Sequence, residues 1–209
     1  MVRVTGLKLW LRARRPRLTL TVFALQALHP WLASQTLVPL PDLLLGDLVD
    51  TPIAVLAPII MVAMVQVILD TDKGDRIACP LVRFHLFDVG LLVALAAVGL
   101  ISGLIGSWQM DSYSHLIWAR NSLIYLGIAC VSRTIGATRA MTIGPLIAGM
   151  AVVLFGRGQT GEPSIWALTL RPPDTSASIG LAAAVFLVGA SLAAVQPPHN
   201  SRLITKGLR

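Results

Sequence analysis

Residues 85–105 read HLFDVGLLVALAAVGLISGLI, an apolar run with one acidic residue, Asp88, near its start. At 1.5 Å per residue such a run reaches about 30 Å as a helix, the thickness of a bilayer's hydrocarbon core. Five more runs of similar character lie at 18–38, 51–69, 114–132, 141–155 and 178–195. Together they predict an all-α protein: a polytopic membrane helical bundle with six transmembrane helices. The fourth run carries Arg120 and Asn121, and the fifth is the shortest. No stretch outside these runs is long enough for a soluble catalytic domain.

Composition agrees with that segmentation. Of 209 residues, 55% are hydrophobic and 13% are charged, and the mean hydropathy is +0.75. Soluble domains carry roughly 25% charge, so an ordinary water-soluble fold is excluded, and so is a disordered chain. Two cysteines, Cys79 and Cys130, are too few for a disulfide-stapled secreted module. The net charge of +7 comes with few aromatic residues, and the basic residues flank apolar runs. That pattern points to the membrane surface as partner and not to nucleic acid.

The placement of charge orients the chain. Fourteen of the seventeen lysines and arginines fall on one side of the six runs. They lie before the first run, between the second and third, between the fourth and fifth, and after the sixth. Arg157 and Arg171 fall on the other side, and Arg120 lies within a run. The positive-inside rule then makes both termini cytoplasmic in a multi-pass protein of the cell membrane. One domain is expected, with a basic interfacial segment at 1–17, the bundle at 18–195 and a cytoplasmic tail at 196–209. Arg14-Arg15 ahead of an apolar run resembles a twin-arginine signal, but no A-x-A site follows, so an uncleaved anchor is expected. Residues 6–12 mix apolar and basic side chains and suit a short amphipathic helix in the headgroup region, with Trp10 as its interfacial anchor.

Polar residues inside apolar runs are the candidate functional groups. A buried arginine costs about 2.5–3.5 kcal/mol on insertion scales, so Arg120 is expected to face a bundle interior or the outer headgroups. Asn121 points about 100° away from it, so the fourth helix is expected to be enclosed by others. Gln26 and His29 in the first run and Gln66 in the second join Arg120 and Asn121 as candidates for lining a substrate path. Asp88 is expected to reach the cytoplasmic interface or to meet Arg83 or His85. Pro30, Pro58 and Pro145 fall inside runs and are read as kinks. Gly99 and Gly103 form a small-residue face suited to close packing within the chain.

Several motifs carry little. Residues 156–161 satisfy G-x-G-x-x-G but fall in an expected outside loop, without the strand and helix that a dinucleotide site requires. There is no P-loop sequence, so this chain is expected to bind no ATP itself. The four histidines are scattered over different depths, and no metal site is expected. The acids of 70–76 could hold a divalent cation, but the D-G-x-x-A-R element of membrane phospho-alcohol transferases is missing; a solvated turn is the plainer reading.

The whole pattern resembles the six-span permease of bacterial ABC-2 type exporters. That resemblance covers the topology of nearly the whole chain. Residues 6–12 match the family's interfacial helix. Asp70, Asp72 and Gly74 match its acid-glycine stretch, residues 75–84 its coupling segment, and 155–176 its apolar re-entrant hairpin. The resemblance implies an ATPase-coupling loop formed by Asp70, Asp72, Lys73, Gly74, Asp75, Arg76 and Arg83. It also implies no cofactor on this chain, with ATP and Mg held by a partner ATPase subunit. A second copy or a paralogue would complete the permease, moving a peptide, lipid-like or drug-like substrate. The competing expectation is a non-transporting membrane scaffold.

Overall fold

A computed structural model describes residues 10, 14–33, 36–70, 84–110, 114–136, 138–158, 160–172 and 176–195. Six α-helices dominate it: α1 (Pro16–Ala33), α2 (Ala57–Asp70), α3 (Phe84–Met110), α4 (Ser114–Gly136), α5 (Ile143–Phe155) and α6 (Ser176–Val195). The expected runs at 70–74 and 75–84 fall outside the described residues apart from Asp70 and residue 84, as does 6–12 apart from Trp10.

Helix α4 is the axis of the fold. Every residue from Trp118 to Gly127 is buried, which on a helix means enclosure on all sides. That meets the expectation drawn from Arg120 and Asn121, and it excludes lipid contact by snorkelling for Arg120, which is fully buried. The surrounding helices turn apolar side chains outward: Leu20 and Leu28 on α1, Ile60 and Val67 on α2, Ile101 and Leu104 on α3, Ile147 on α5, and Leu187 and Val188 on α6 are all exposed.

Helices α4 and α6 cross at two glycines. The Gly127 backbone lies against Val185 and Phe186, and Gly189 stands on the Gly127 carbonyl. A Cβ on Gly127 would meet the Val185 carbonyl oxygen and the Phe186 Cα at 2.9 Å. Both are backbone atoms, so relief requires the helices to separate. Gly127→Ala is therefore expected to destabilise the bundle by about 1–3 kcal/mol, the usual cost of overpacking. Thermal unfolding in mild detergent, followed by tryptophan fluorescence, measures it. Gly90→Ala, with open space at its Cβ position, is the matched control. Gly99 and Gly103 pack within the chain, against Gln26 and against Ala119 and the His115 carbonyl, as their spacing suggested.

The structure corrects three expectations. First, the molecule is mostly helical but not all-α. Residues 37–52 form an antiparallel hairpin, β1 (Leu37–Asp42) and β2 (Asp47–Pro52), in register Leu37↔Pro52 through Asp42↔Asp47. The end of the first expected run and the start of the second belong to it. Pro39 and Pro41 alternate along β1, a strand that has a free edge and can leave a backbone donor out. The Asp42 carboxylate accepts from the Leu44 and Leu45 backbone N–H groups, and Gly46 takes φ 69°, so the chain reverses. Second, Pro58 and Pro145 are not interior kinks. They stand in the first turns of α2 and α5, where a missing N–H costs nothing to the helix ladder. Only Pro30 is well inside its helix. Third, Trp10 is buried inside the bundle and is not an interfacial anchor. Among the described residues, two helices are long and apolar enough to cross a membrane by length and composition, within His85–Gln109 and Ala177–Val195. Helices α2 and α5 are apolar but shorter, at 14 and 13 residues. Polar side chains interrupt α1 (Gln26, His29) and α4 (His115, Arg120, Asn121, Arg133).

Candidate functional site

Polar groups inside the bundle gather in three places. At the end that carries the α2 and α4 C-termini, Asp88 is the hub. One turn into α3 and 1% exposed, it receives Trp10 Nε1 at 2.9 Å on Oδ1. Arg14 Nη2 donates to both carboxylate oxygens, at 2.9 and 3.1 Å. Arg133 Nη2 donates to Oδ2. Arg14 also caps α2, with Nη1 donating to the Leu69 carbonyl at 2.6 Å. Arg133 lies in the last turn of α4. Two arginines on one carboxylate would leave an excess positive charge, but both sit at helix C-termini, whose carbonyl ends each carry about half a negative charge. Asp88 near the α3 N-terminus meets the opposite dipole end. The cluster is thus an electrostatic knot joining four elements; Arg83, one of the partners expected for Asp88, lies outside the described residues.

At the opposite end lies the clamp of Arg120 and Asn121. Arg120 Nη1 donates to the Arg171 carbonyl at 2.8 Å and Nη2 to the Thr169 carbonyl at 3.0 Å. Its Nε donates to Asn121 Oδ1 at 3.2 Å. Asn121 Nδ2 donates to the Thr169 carbonyl at 3.1 Å and to the Ala54 carbonyl at 3.2 Å. The last bond has a covalent cause. Ala54 stands four residues before Pro58, which has no N–H to give it, and Asn121 supplies the missing donor. Among its described residues, the segment from Gly156 to Pro172 that the clamp holds is built of turns and one bridge, Arg157↔Pro163. It buries Ala167 and Thr169 and exposes Ile165 and Trp166. The G-x-G-x-x-G sequence lies in these turns, without the strand and helix of a nucleotide site. Arg157 Nη2 donates to Thr51 Oγ1 at 3.2 Å, and the Leu43 N–H to the Leu154 carbonyl, which ties this segment and α5 to the β-hairpin.

The third place is the seam between α1, α3 and α4. His29 stacks on Trp118 with ring centroids 4.2 Å apart, and Trp31 lies over His115 at 5.5 Å. Gln26, one turn from His29, packs its amide against Gly99, and the His115 ring packs against Gly106. Gln66 lies elsewhere: its Oε1 accepts from the Thr142 backbone N–H at 3.0 Å and from Thr142 Oγ1 at 2.6 Å, fastening α2 to the start of α5.

The five path residues chosen from sequence therefore do not converge. Arg120, Asn121 and Gln66 are engaged mainly with backbone, and Gln26 and His29 belong to a separate seam. Of the expected coupling loop, Asp72, Lys73, Gly74, Asp75, Arg76 and Arg83 lie outside the described residues. Sequence reasoning missed the pairing of Asp88 with Arg14 and Arg133, which are 74 and 45 residues away. One signal pointed to it. Asp88 is the sole acid within the six apolar runs, and a lone acid at such depth needs a cation at the same level. Among the described residues, no three His, Cys, Asp or Glu side chains group as metal ligands.

Comparison with family models, curated proteins and solved structures finds no match for this chain.

Proposed function

We propose that this chain is an integral membrane protein crossing the bilayer six times, and that it is the permease subunit of an ABC-type exporter whose ATP is hydrolysed by a separate subunit. One observation carries the membrane reading. Five helices present bare Leu, Ile and Val side chains outward around α4, whose residues 118–127, Arg120 and Asn121 among them, are all buried. Water would force that arrangement the other way round, whereas hydrocarbon favours it. The shorter α2 and α5 are each extended at their N-terminal ends by a 3-10 turn, Ile53–Val55 and Thr138–Met141.

The exporter reading draws on the resemblance and on mechanics. An ATPase that moves a permease must push a short cytoplasmic element rooted in the bundle. Residues 71–83 join α2 to α3, and the Asp88 knot grips both roots: Arg14 holds Leu69 on one side and Asp88 on the other. A push on that segment would reach α4 through Arg133. The lipid-like, peptide or drug-like cargo and the second permease copy follow from the resemblance alone. The alternative, a non-transporting membrane scaffold, is favoured by one feature: Arg120 spends its donors on backbone carbonyls, as structural glue would.

Two measurements test the proposal. Reporter tags inserted at residues 45 and 165 are both expected on the face opposite the termini; a cytosolic tag at either site removes the six-crossing topology. Affinity-tagged protein in mild detergent is expected to carry a P-loop ATPase, and the double change Asp72→Lys with Asp75→Lys is expected to release it. Recovery of the chain with no ATPase, together with unaltered export by the charge-reversed variant, leaves the scaffold reading.

A further inference from the structure

Among the described residues, the seam between α1, α3 and α4 gathers several buried polar groups. Trp118 Nε1, both His115 nitrogens, Gln26 Nε2 and Ser122 Oγ have no hydrogen-bond partner, and each of these residues is at most 2% exposed. His29 Nε2 and Ser102 Oγ, on half-buried residues, share that condition. The His115 ring lies within electrostatic reach of the Pro30 carbonyl. An unpartnered buried polar atom costs about 1–3 kcal/mol, so native chains rarely keep one, and seven along one seam need an occupant.

The opposite wall is equally specific. Helix α3 presents Gly99 to the Gln26 amide and Gly106 to the His115 ring, and a Cβ at either place would strike the polar side chain. Glycine here makes room for polar groups, and not only for backbone contact. At the inner end, Gln26 and Ser122 border a cavity of about 10 Å³ whose remaining lining, Val22, Pro58, Met61, Val65, Leu95 and Leu126, is apolar. That volume suits one water molecule and excludes any larger solute.

We infer that the α1/α3/α4 seam is a hydrated path holding a file of water molecules. It runs from the end bearing His115 and Trp31 down to the cavity between Gln26 and Ser122, where an apolar plug closes it. The occupant is water because the unpartnered groups include donors such as Trp118 Nε1 and hydroxyls that both donate and accept, and the cavity between Gln26 and Ser122 holds nothing bigger. This rests on the membrane reading above and gives the permease its polar route, away from Arg120, Asn121 and Gln66. The route enters from the face opposite the basic termini.

Cysteine accessibility tests it. In full-length protein carrying Cys79→Ala and Cys130→Ala, single changes Ser102→Cys and Ser122→Cys are exposed in intact cells to a small, membrane-impermeant methanethiosulfonate. Thiols react as thiolates, which form far more readily in a hydrated setting than in apolar surroundings. Both seam cysteines are expected to label faster than Ile147→Cys and Val188→Cys on the outward apolar faces. Equal rates at seam and lipid-facing positions would overturn the inference. Hydroxyl-radical footprinting of the unaltered chain covers the case in which a variant fails to fold. Trp118 and His115 are expected to oxidise despite their burial, whereas the equally buried Met141 stays protected; protection of all three would also overturn the inference. Neither readout involves an ATPase. A labelled seam without a co-purifying ATPase would therefore remove the exporter reading and leave the hydrated path standing.

Discussion

Asp88→Ala is expected to be the most damaging single change in the bundle. It strips the carboxylate from two arginines that are each only 3% exposed, and it leaves Trp10 Nε1 without an acceptor. Removing one partner from a buried ion pair costs about 3–5 kcal/mol, because the remaining charge stays desolvated and uncompensated. Here two such charges remain, although the α2 and α4 C-terminal carbonyls offset part of the cost. The expected result is a large fall in folded protein recovered in mild detergent, with a lowered unfolding midpoint. Arg133→Met is expected to cost less, since Arg14 still neutralises Asp88. The triple change Arg14→Met, Asp88→Leu and Arg133→Met should recover much of the loss, because well-packed apolar side chains replace a buried ion cluster at little net cost. On the proposed exporter reading, recovery in stability without recovery of export would separate the knot's structural role from transmission between the 71–83 segment and α4. A triple variant as unstable as Asp88→Ala would show that packing around Trp10, and not charge, holds this end together.

Arg120→Met is expected to loosen the opposite end. The Arg171 carbonyl loses its guanidinium donor, while the Thr169 carbonyl keeps Asn121. One orphaned acceptor costs about 1–3 kcal/mol. Adding Asn121→Leu also abandons Thr169 and Ala54, whose natural helix donor is missing at Pro58, so the double variant should lose more than Arg120→Met alone. The effect should be local. Limited proteolysis from the outer face should cut within 156–172 several times faster in the double variant, while cleavage elsewhere is unchanged. A uniform rise in cleavage would mean that the clamp supports the whole bundle. Arg120→Lys is a sharper probe: an ammonium is a point charge without the fork that spans two carbonyls, so it should rescue charge but not loop order.

The legibility of these features differs by residue. Arg120 and Asn121 announced an enclosed helix, because two polar side chains 100° apart cannot both avoid hydrocarbon otherwise, and α4 is enclosed. Gln26 and His29 were picked out as polar groups at depth, and both lie in the α1/α3/α4 seam. Their partners Ser102, His115, Trp118 and Ser122 were not, since a serine or a tryptophan in an apolar run has many uses and only three-dimensional neighbours choose among them. The prolines misled in a regular way. Hydropathy merges a helix with the turn that precedes it, so Pro58 and Pro145 looked interior when they stand at helix starts. The β-hairpin was hidden for the same reason: Leu, Val and Pro in 37–52 score as apolar whether the backbone is coiled or extended.

The amino-acid sequence by itself determined that the chain is mostly helical and where its apolar segments fall. These depend on local composition, and every residue needed to read them is adjacent in the chain. The tertiary structure alone decided which polar groups meet. Asp88 met Arg14 and Arg133, Asn121 met the carbonyl that Pro58 leaves open, and His29 met Trp118. Hydrogen bonds and ion pairs act over about 3 Å, and such closeness between distant residues is set by how helices rotate and pack.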